Sequence, residues 1–419
     1  MKQISQRYFL ILTLAATLAG CAFSTLKQDL KKLEGVTHLF AGTVSTEGVE
    51  AEAIVVVALR DRQGENVARL RIMSGPGPFE IRSDPTPTLF FAFHDLNKDL
   101  RFQADEPYGW AADGRALDAS TEDTGNINIT ISAALDDQSA APQKLVDARF
   151  ENHFENNLRF HVGTVSSLDN PWFSEKQATK GLWQPYGFIE DGGTGVHFLQ
   201  PYDSDKIPVL FVPGIDGTPR GFAAMIEQLD QEKYQAWVYS YPSGLRLTWL
   251  ARGTHKFLES LHRKYRFDEL HVVAHSMGGL VFRGGLNLCT QNGSCKFLRS
   301  YTTLSTPWNG VASARSGVKW APTVVPVWRD LDPDSEYVTT LFDTPLPEAL
   351  PYQLLFGFRR SSVFGSGSSD GVIKLTSQLR PAAQEQAQLI RGYDEDHVSI
   401  LSSETVVRKV QEILAESSQ

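Results

Sequence analysis

Leu270 to Phe282 read LHVVAHSMGGLVF, which sets a single serine between β-branched residues and a pair of glycines. Strand propensity is high through Val272 and Val273, and a small residue follows at Ala274. Beyond Ser276, Gly278 and Gly279 lead into apolar residues at helical spacing. The stretch predicts strand, tight turn, helix. In such a turn a nucleophilic serine is held in a strained conformation at the strand's end, with its oxygen exposed and little bulk tolerated around it. Glycine usually stands two residues before the serine; Ala274 takes that place here, a mild departure because the turn requires only small size. The plain alternative is a serine in an ordinary strand-to-helix turn.

A chain of 419 residues has room for two domains with substantial cores. With a net charge of -9 and no concentrated run of Lys and Arg, it is not expected to bind nucleic acid. Lys2 and Arg7 precede an apolar run too short to span a bilayer, and Cys21 follows directly. Leu18-Ala19-Gly20-Cys21 resembles the lipobox of bacterial lipoproteins. That resemblance implies a signal peptide over 1–20, lipidation of Cys21, a tether over 21–36, and a membrane-anchored protein of the bacterial cell envelope. Ala22 after the cysteine fits outer-membrane sorting. A plain secretory signal with an incidental cysteine is the other reading. If Cys21 carries lipid, Cys289 and Cys295 remain as a pair in CTQNGSC, either as a small disulfide loop or as two free thiols.

Residues 37–135 read as short β-rich runs (THLFAGTVS, EAIVVVALRD, VARLRIM, TLFFAF, INITIS) separated by Gly, Pro and Asp. A small β-sandwich is expected there, followed by a linker over 136–144. Within it, Asp95, Asn97, Asp99 and Glu106 take positions 1, 3, 5 and 12 of a calcium-loop pattern. Leu100 occupies the position where that loop wants glycine, and no flanking helices are apparent, so a turn whose side chains cap backbone groups competes with a calcium site. The surrounding residues resemble a loop of transthyretin-like extracellular β-modules. From residue 145 to 419 strands alternate with helices, which predicts a mostly parallel sheet covered on both faces. Ligands of such sheets lie at the carboxyl ends of the strands, where Ser276 falls.

A serine needs a base, and the base an orienting acid. His397, in YDEDHVSIL, is the best base and Asp370, in GSGSSDGVIKL, the best acid, with Asp343 and Asp396 as rivals. Met277 N–H, at the helix start, can donate to an oxyanion. His271 and His275 are four apart, but in a strand that separation is about 13 Å, which excludes one shared metal ion.

Taken together, VLFVPGIDGTPRGF, VVAHSMGGLVFR, LSTPWNG, SDGVIKLTSQL and EDHVSIL resemble the α/β-hydrolase superfamily, in particular its lipases and esterases, over roughly residues 206–401. The resemblance implies an α/β-hydrolase fold, a catalytic set in the chain order Ser276, Asp370, His397, and acyl transfer to the serine followed by hydrolysis. It implies Ile215 N–H as the second oxyanion donor, an acyl ester or lipid substrate, and no metal or organic cofactor. It also makes residues 311–351, rich in Pro, Trp and acidic residues, a candidate lid or acyl pocket, with ordinary core packing as the alternative. An acyltransferase or deacylase acting on envelope lipids would use the same residues. A surface binding protein that retains the scaffold without turnover is a reading of a different class.

Overall fold

A computed structural model describes residues 22–33, 38–64, 67–83, 87–97, 99–103, 105–117, 125–132, 160–292, 295–359 and 368–417. The expected signal peptide, Cys21 and the expected linker 136–144 lie outside the described residues. The chain divides into two compact units, one of residues 31–156 and one of residues 1–30 together with 157–419.

The smaller unit holds β1 (His38–Glu47), β2 (Ile54–Leu59), β3 (Val67–Met73), β4 (Gly77–Ser83), β5 (Leu89–His94), β6 (Tyr108–Trp110) and β7 (Ile127–Ser132). They hydrogen-bond in the continuous order β3-β2-β5-β6-β7-β1-β4, with β1 and β7 parallel and β6 joined to β7 through the single pair Tyr108 and Ser132. Strands β4 and β6 were not expected from the sequence. The first opens on Gly-Pro and the second has three residues, so neither shows a run of β-formers. Every residue of β2 is buried because both of its faces are covered. Ile54, Val56 and Phe90 pack with Phe40, Phe79 and Ile129 on one face. Val55, Val57, Phe91 and Phe93 pack on the other, beneath Leu100 and Phe102.

Leu100 and Phe102 come from the acidic loop, and this packing explains how the loop is built. Asp95 accepts from the N–H groups of Asp99 (3.1 Å) and Leu100 (2.9 Å), and Glu106 from those of Leu96 and Gln103 (both 2.9 Å). Asn97 accepts from Asp99 N–H at 3.0 Å, and Asp99 from Arg101 N–H at 2.8 Å. The side chains therefore serve backbone groups of their own loop. Leu100 adopts the left-handed conformation (φ 62°) that the calcium pattern assigns to glycine, while its partly buried side chain packs against this core. Among the described residues no group of His, Cys, Asp or Glu is arranged to hold a metal ion. Burial pushes the Glu106 carboxyl up to about 7, with Asp95 and Asp99 adding to the shift against its backbone hydrogen bonds.

The larger unit is built on a second sheet: β8 (Phe160–Val165), β9 (Thr194–Phe198), β10 (Ile207–Val212), β11 (Tyr234–Ser240), β12 (Leu270–His275), β13 (Leu298–Leu304), β14 (Tyr352–Gly357) and β15 (Leu389–Tyr393). Their order is β15-β14-β13-β12-β10-β11-β9-β8; the six strands from β10 to β15 run parallel, and β9 meets β11 antiparallel. This mixed α/β sheet fits an α/β-hydrolase fold. Alternate residues of the central strands point to opposite faces, and Val209, Phe211, Val238 and Val273 pack on one face with Val406, Val410 and Ile413 of the C-terminal helix. The helix Leu247–Tyr265 buries Leu247, Leu250, Thr254, Leu258 and Leu261 at three- and four-residue spacing, ends on Arg266 in the left-handed conformation, and carries three basic residues in its last turn.

Residues 22–33, expected as a tether, are helical. Leu26 is fully buried, the Phe23 ring meets Trp183 edge-on at 5.3 Å, and the buried Asp29 carboxylate accepts from Tyr186 N–H (2.8 Å) and Gly187 N–H (2.9 Å). Asp29 thereby satisfies orphan donors at the start of the helix Pro185–Glu190, which has no capping side chain of its own. Asp29→Ala leaves those donors buried and unpaired, and is expected to lower unfolding free energy by about 1–3 kcal/mol, read as the shift in urea midpoint.

Candidate active site

Ser276 connects the last residue of β12 to the helix Met277–Asn292, and its φ of 51° is the strained turn that the sequence predicts. The surrounding glycines show why bulk is excluded. A Cβ on Gly214 would lie 2.8 Å from Ser276 Cβ, and one on Gly278 would lie 2.4 Å from the carbonyl oxygens of both Val212 and Pro213. Ala274 is an ordinary strand residue, fully buried and paired with Val212 and Thr303, so its methyl group fits.

The three residues singled out from the sequence meet at the carboxyl end of this sheet. His397 Nδ1 lies 2.7 Å from Asp370 Oδ2, and His397 Nε2 lies 2.9 Å from Ser276 Oγ. An ionised Asp370 can only accept, so Nδ1 carries the ring proton and Nε2 is left to accept from the serine hydroxyl. Asp370 is fully buried, and its Oδ1 also accepts from the N–H groups of Val372 (3.0 Å) and Ile373 (2.7 Å). Burial pushes its pKa up, but the hydrogen bond and charge of His397 and those two N–H groups outweigh it and hold the carboxyl below its usual range. Its ionised form therefore stabilises the fold above the ordinary carboxylate range, a contribution lost as pH falls through the depressed value. The rival Asp396 instead accepts from Val398 N–H and Ser399 N–H and shapes the turn that carries His397. Asp343 lies near Arg380.

Among the described residues, no acceptor takes the N–H of Ile215 or of Met277. Two side chains that the sequence reading missed hold the Ile215 loop: Tyr241 Oη donates to Pro213 O at 2.5 Å, and Ser243 Oγ accepts from Asp216 N–H at 3.2 Å. Asp216 takes a left-handed φ of 54°, which turns the chain back directly after Ile215. Tyr241 and Ser243 follow β11 in the loop YPSG, and their spacing there carries no signal of what they reach.

A cavity of about 1090 Å³ opens over Ser276 and His397 and is lined by Ile215, Met277 and mainly apolar side chains. Residues 311–351 form one of its walls through Val311, Ala314, Gly317, Trp328 and Leu331. That wall is anchored: the buried Asp330 pairs with Arg246 at 2.6 Å and accepts from Leu247 N–H at 2.6 Å. A Cβ on Gly317 would lie 2.7 Å from the Trp328 ring, so glycine is what allows these two pieces of the wall to meet. Val372, two residues after Asp370, and Val398, next to His397, line the same cavity and remain 62% and 67% exposed. Away from it, Cys289 and Cys295 are joined as a disulfide with Cα atoms 5.4 Å apart.

Three buried histidines of this unit have lowered pKa values, burial being the largest cause in each. His197 and His271 are brought to about 4 and His275 to about 3, aided by the charges of His161, of Lys233 and Arg299, and of His397 respectively. Below the ordinary histidine value of about 6.5 the unfolded chain binds protons that the folded chain does not, so stability must fall with pH. Unfolding free energy is expected to drop by up to roughly 1.4 kcal/mol per pH unit for each histidine between about pH 6 and pH 4. Urea titrations at pH 7, 5.5 and 4.5 test this; a midpoint independent of pH over that range would refute it.

No family model and no curated protein sequence matches the chain. Solved structures similar to part of it include a mature lipase from Bacillus licheniformis, at 18% identity and a TM-score of 0.43, covering 52% of this chain and 97% of that one. A putative aryl esterase from Burkholderia cenocepacia matches at 13% identity and a TM-score of 0.34, over 53% of this chain and 94% of that one. A phospholipase from Legionella pneumophila matches at 16% identity and a TM-score of 0.35, over 41% of this chain and 45% of that one.

Proposed function

We propose that the larger unit is a serine hydrolase of carboxylic esters, with Ser276 as nucleophile, His397 as base and then acid, and Asp370 as the group that orients His397. The observation that carries this reading is the hydrogen-bonded series Ser276 Oγ, His397 Nε2, His397 Nδ1, Asp370 Oδ2, at 2.9 and 2.7 Å, in a buried site beneath an apolar cavity. Ser276 Oγ attacks the ester carbonyl while His397 Nε2 takes its proton. The carbonyl oxygen, now anionic, accepts from the N–H groups of Ile215 and Met277, residues that line the cavity and whose N–H groups have no acceptor among the described residues. The C–O bond to the alcohol breaks as His397 returns the proton to it, and water then repeats the sequence to release the acid. The apolar wall of residues 311–351 suits an acyl chain. The smaller unit is read as a small β-sandwich; what supports that reading is a core that Ile54, Phe40, Phe79 and Phe90 of β2, β1, β4 and β5 share. Lipid on Cys21 would hold the enzyme at the bacterial outer membrane, where lipid esters are at hand.

Labelling by a fluorophosphonate tests the activated serine, and a series of p-nitrophenyl esters from acetate to palmitate tests the acyl pocket. The soluble form should begin at Ala22, because residues from Phe23 on pack against this unit. Rapid labelling with a clear optimum of chain length supports the reading. A folded protein that neither labels nor hydrolyses any ester of the series refutes it.

A further inference from the structure

His397 stands in a turn between β15 and the short 3-10 helix Ser399–Leu401, outside regular secondary structure, yet its ring must keep a reacting distance from Ser276. Besides the local bonds to Asp396, two hydrogen bonds tie the backbone of His397 to its neighbours. His397 N–H donates to Asp370 O at 2.9 Å, which ties the base to the acid. His397 O is 2.8 Å from Nε2 of His275. His275 is the last residue of β12, a central strand, and the next residue in the chain is the nucleophile. A carbonyl oxygen can only accept, so His275 must carry its proton on Nε2 and donate.

We propose that His275 is a positioning residue whose Nε2–H, donated to the carbonyl of His397, holds the base in register with the serine that follows it in the chain. A single rigid strand end then carries the nucleophile and also grips the base, although 121 residues separate the two in sequence. The contact acts on the backbone of His397 and leaves both ring nitrogens free for Asp370 and Ser276. Neutrality of His275 matters as much as its reach. Its ring centroid is 4.7 Å from that of His397, and a positive charge there would oppose the proton that His397 must accept from the serine. His397 and Asp370 are the titratable groups whose charges it feels, and burial lowers its pKa to about 3, so the ring is neutral at pH 7. This role rests on the hydrolase reading, whereas the hydrogen bond beneath it does not.

Two substitutions separate gripping from space-filling. His275→Phe keeps an aromatic ring without the donor, and His275→Gln keeps a donor able to reach the same oxygen. Displacing a reacting group by about 1 Å can cost on the order of 100-fold, so His275→Phe is expected to lower kcat by about 10- to 100-fold. KM should change much less than kcat, since His275 is only one of many residues lining the cavity and its ring donates to the His397 carbonyl. His275→Gln should recover most of the loss. Full kcat in His275→Phe, or His275→Gln no better than His275→Phe at equal urea midpoints, would overturn the proposal. The unaltered protein provides an independent test through the imidazole nitrogen resonances of His275 at pH 7. A neutral ring protonated on Nε2 is expected, and an Nδ1–H tautomer or an imidazolium would overturn the proposal even if the phenylalanine variant failed to fold. Ser276→Ala should leave that tautomer in place, so failure of the hydrolase reading would be seen separately from failure of this contact.

Discussion

Ser276→Ala is expected to lower kcat for p-nitrophenyl ester hydrolysis by about 10⁶-fold and to abolish fluorophosphonate labelling, with little change in stability. The loss is large because every bond-making step passes through the serine oxygen. The cavity and the N–H groups of Ile215 and Met277 remain, and without a nucleophile they can only bind the ester. Stability should change little because alanine fits the space and the residue keeps its strained φ of 51°, leaving only one side-chain hydrogen bond lost. Residual hydrolysis within tenfold of the parent would mean that another group attacks the ester, and the assignment of Ser276 would fall.

Asp370→Asn is expected to lower kcat by about 10⁴-fold while the cavity still binds ester. Charge is only part of the reason. Oδ1 of Asp370 accepts from Val372 N–H and Ile373 N–H, so an asparagine must direct its carbonyl oxygen toward those two donors. Its NH₂ group would then face His397 Nδ1, the position that Oδ2 holds at 2.7 Å. A donor there requires Nδ1 to be bare, which moves the ring proton to Nε2 and leaves nothing to accept the proton of Ser276. Kinetics on short-chain esters, together with the imidazole nitrogen resonances of His397, read both halves of this argument. A loss below tenfold, or a His397 ring still protonated on Nδ1, would mean that Asp370 does not set the tautomer.

Much of the larger unit was legible in the chain because its signals are local. KIPVLFVPG, YQAWVYSYP and RSYTTLSTP are buried strands, long enough and rich enough in β-branched and aromatic residues to be read alone, and each matches a strand of the sheet. The strand, serine and glycine pattern of residues 270–282 marks its own turn, and the small size of Gly278 lets that turn pass the carbonyl oxygens of Val212 and Pro213. The edge strand β8 and its neighbour β9 escaped notice because each has a glycine within a short run. In the smaller unit, β4 and β6 escaped for lack of a pattern.

The sequence by itself determined the residue types and their order: a serine with small neighbours, an aspartate closing a polar loop, a histidine near the C-terminus. Those follow from local sterics and from the chemistry a side chain can perform, both properties of a few adjacent residues. Only the tertiary structure decided which carboxylate faces His397, that Asp396 shapes a turn instead, that Tyr241 and Ser243 hold the Ile215 loop, and that His275 grips the base. It also decided that Phe23 and Asp29 belong to the larger unit's packing and that residues 311–351 wall the cavity. Apart from the local turn at Asp396, each of these is a contact between residues tens to hundreds of positions apart, set by how the sheet and its loops close in space, and spacing along a chain carries no record of it.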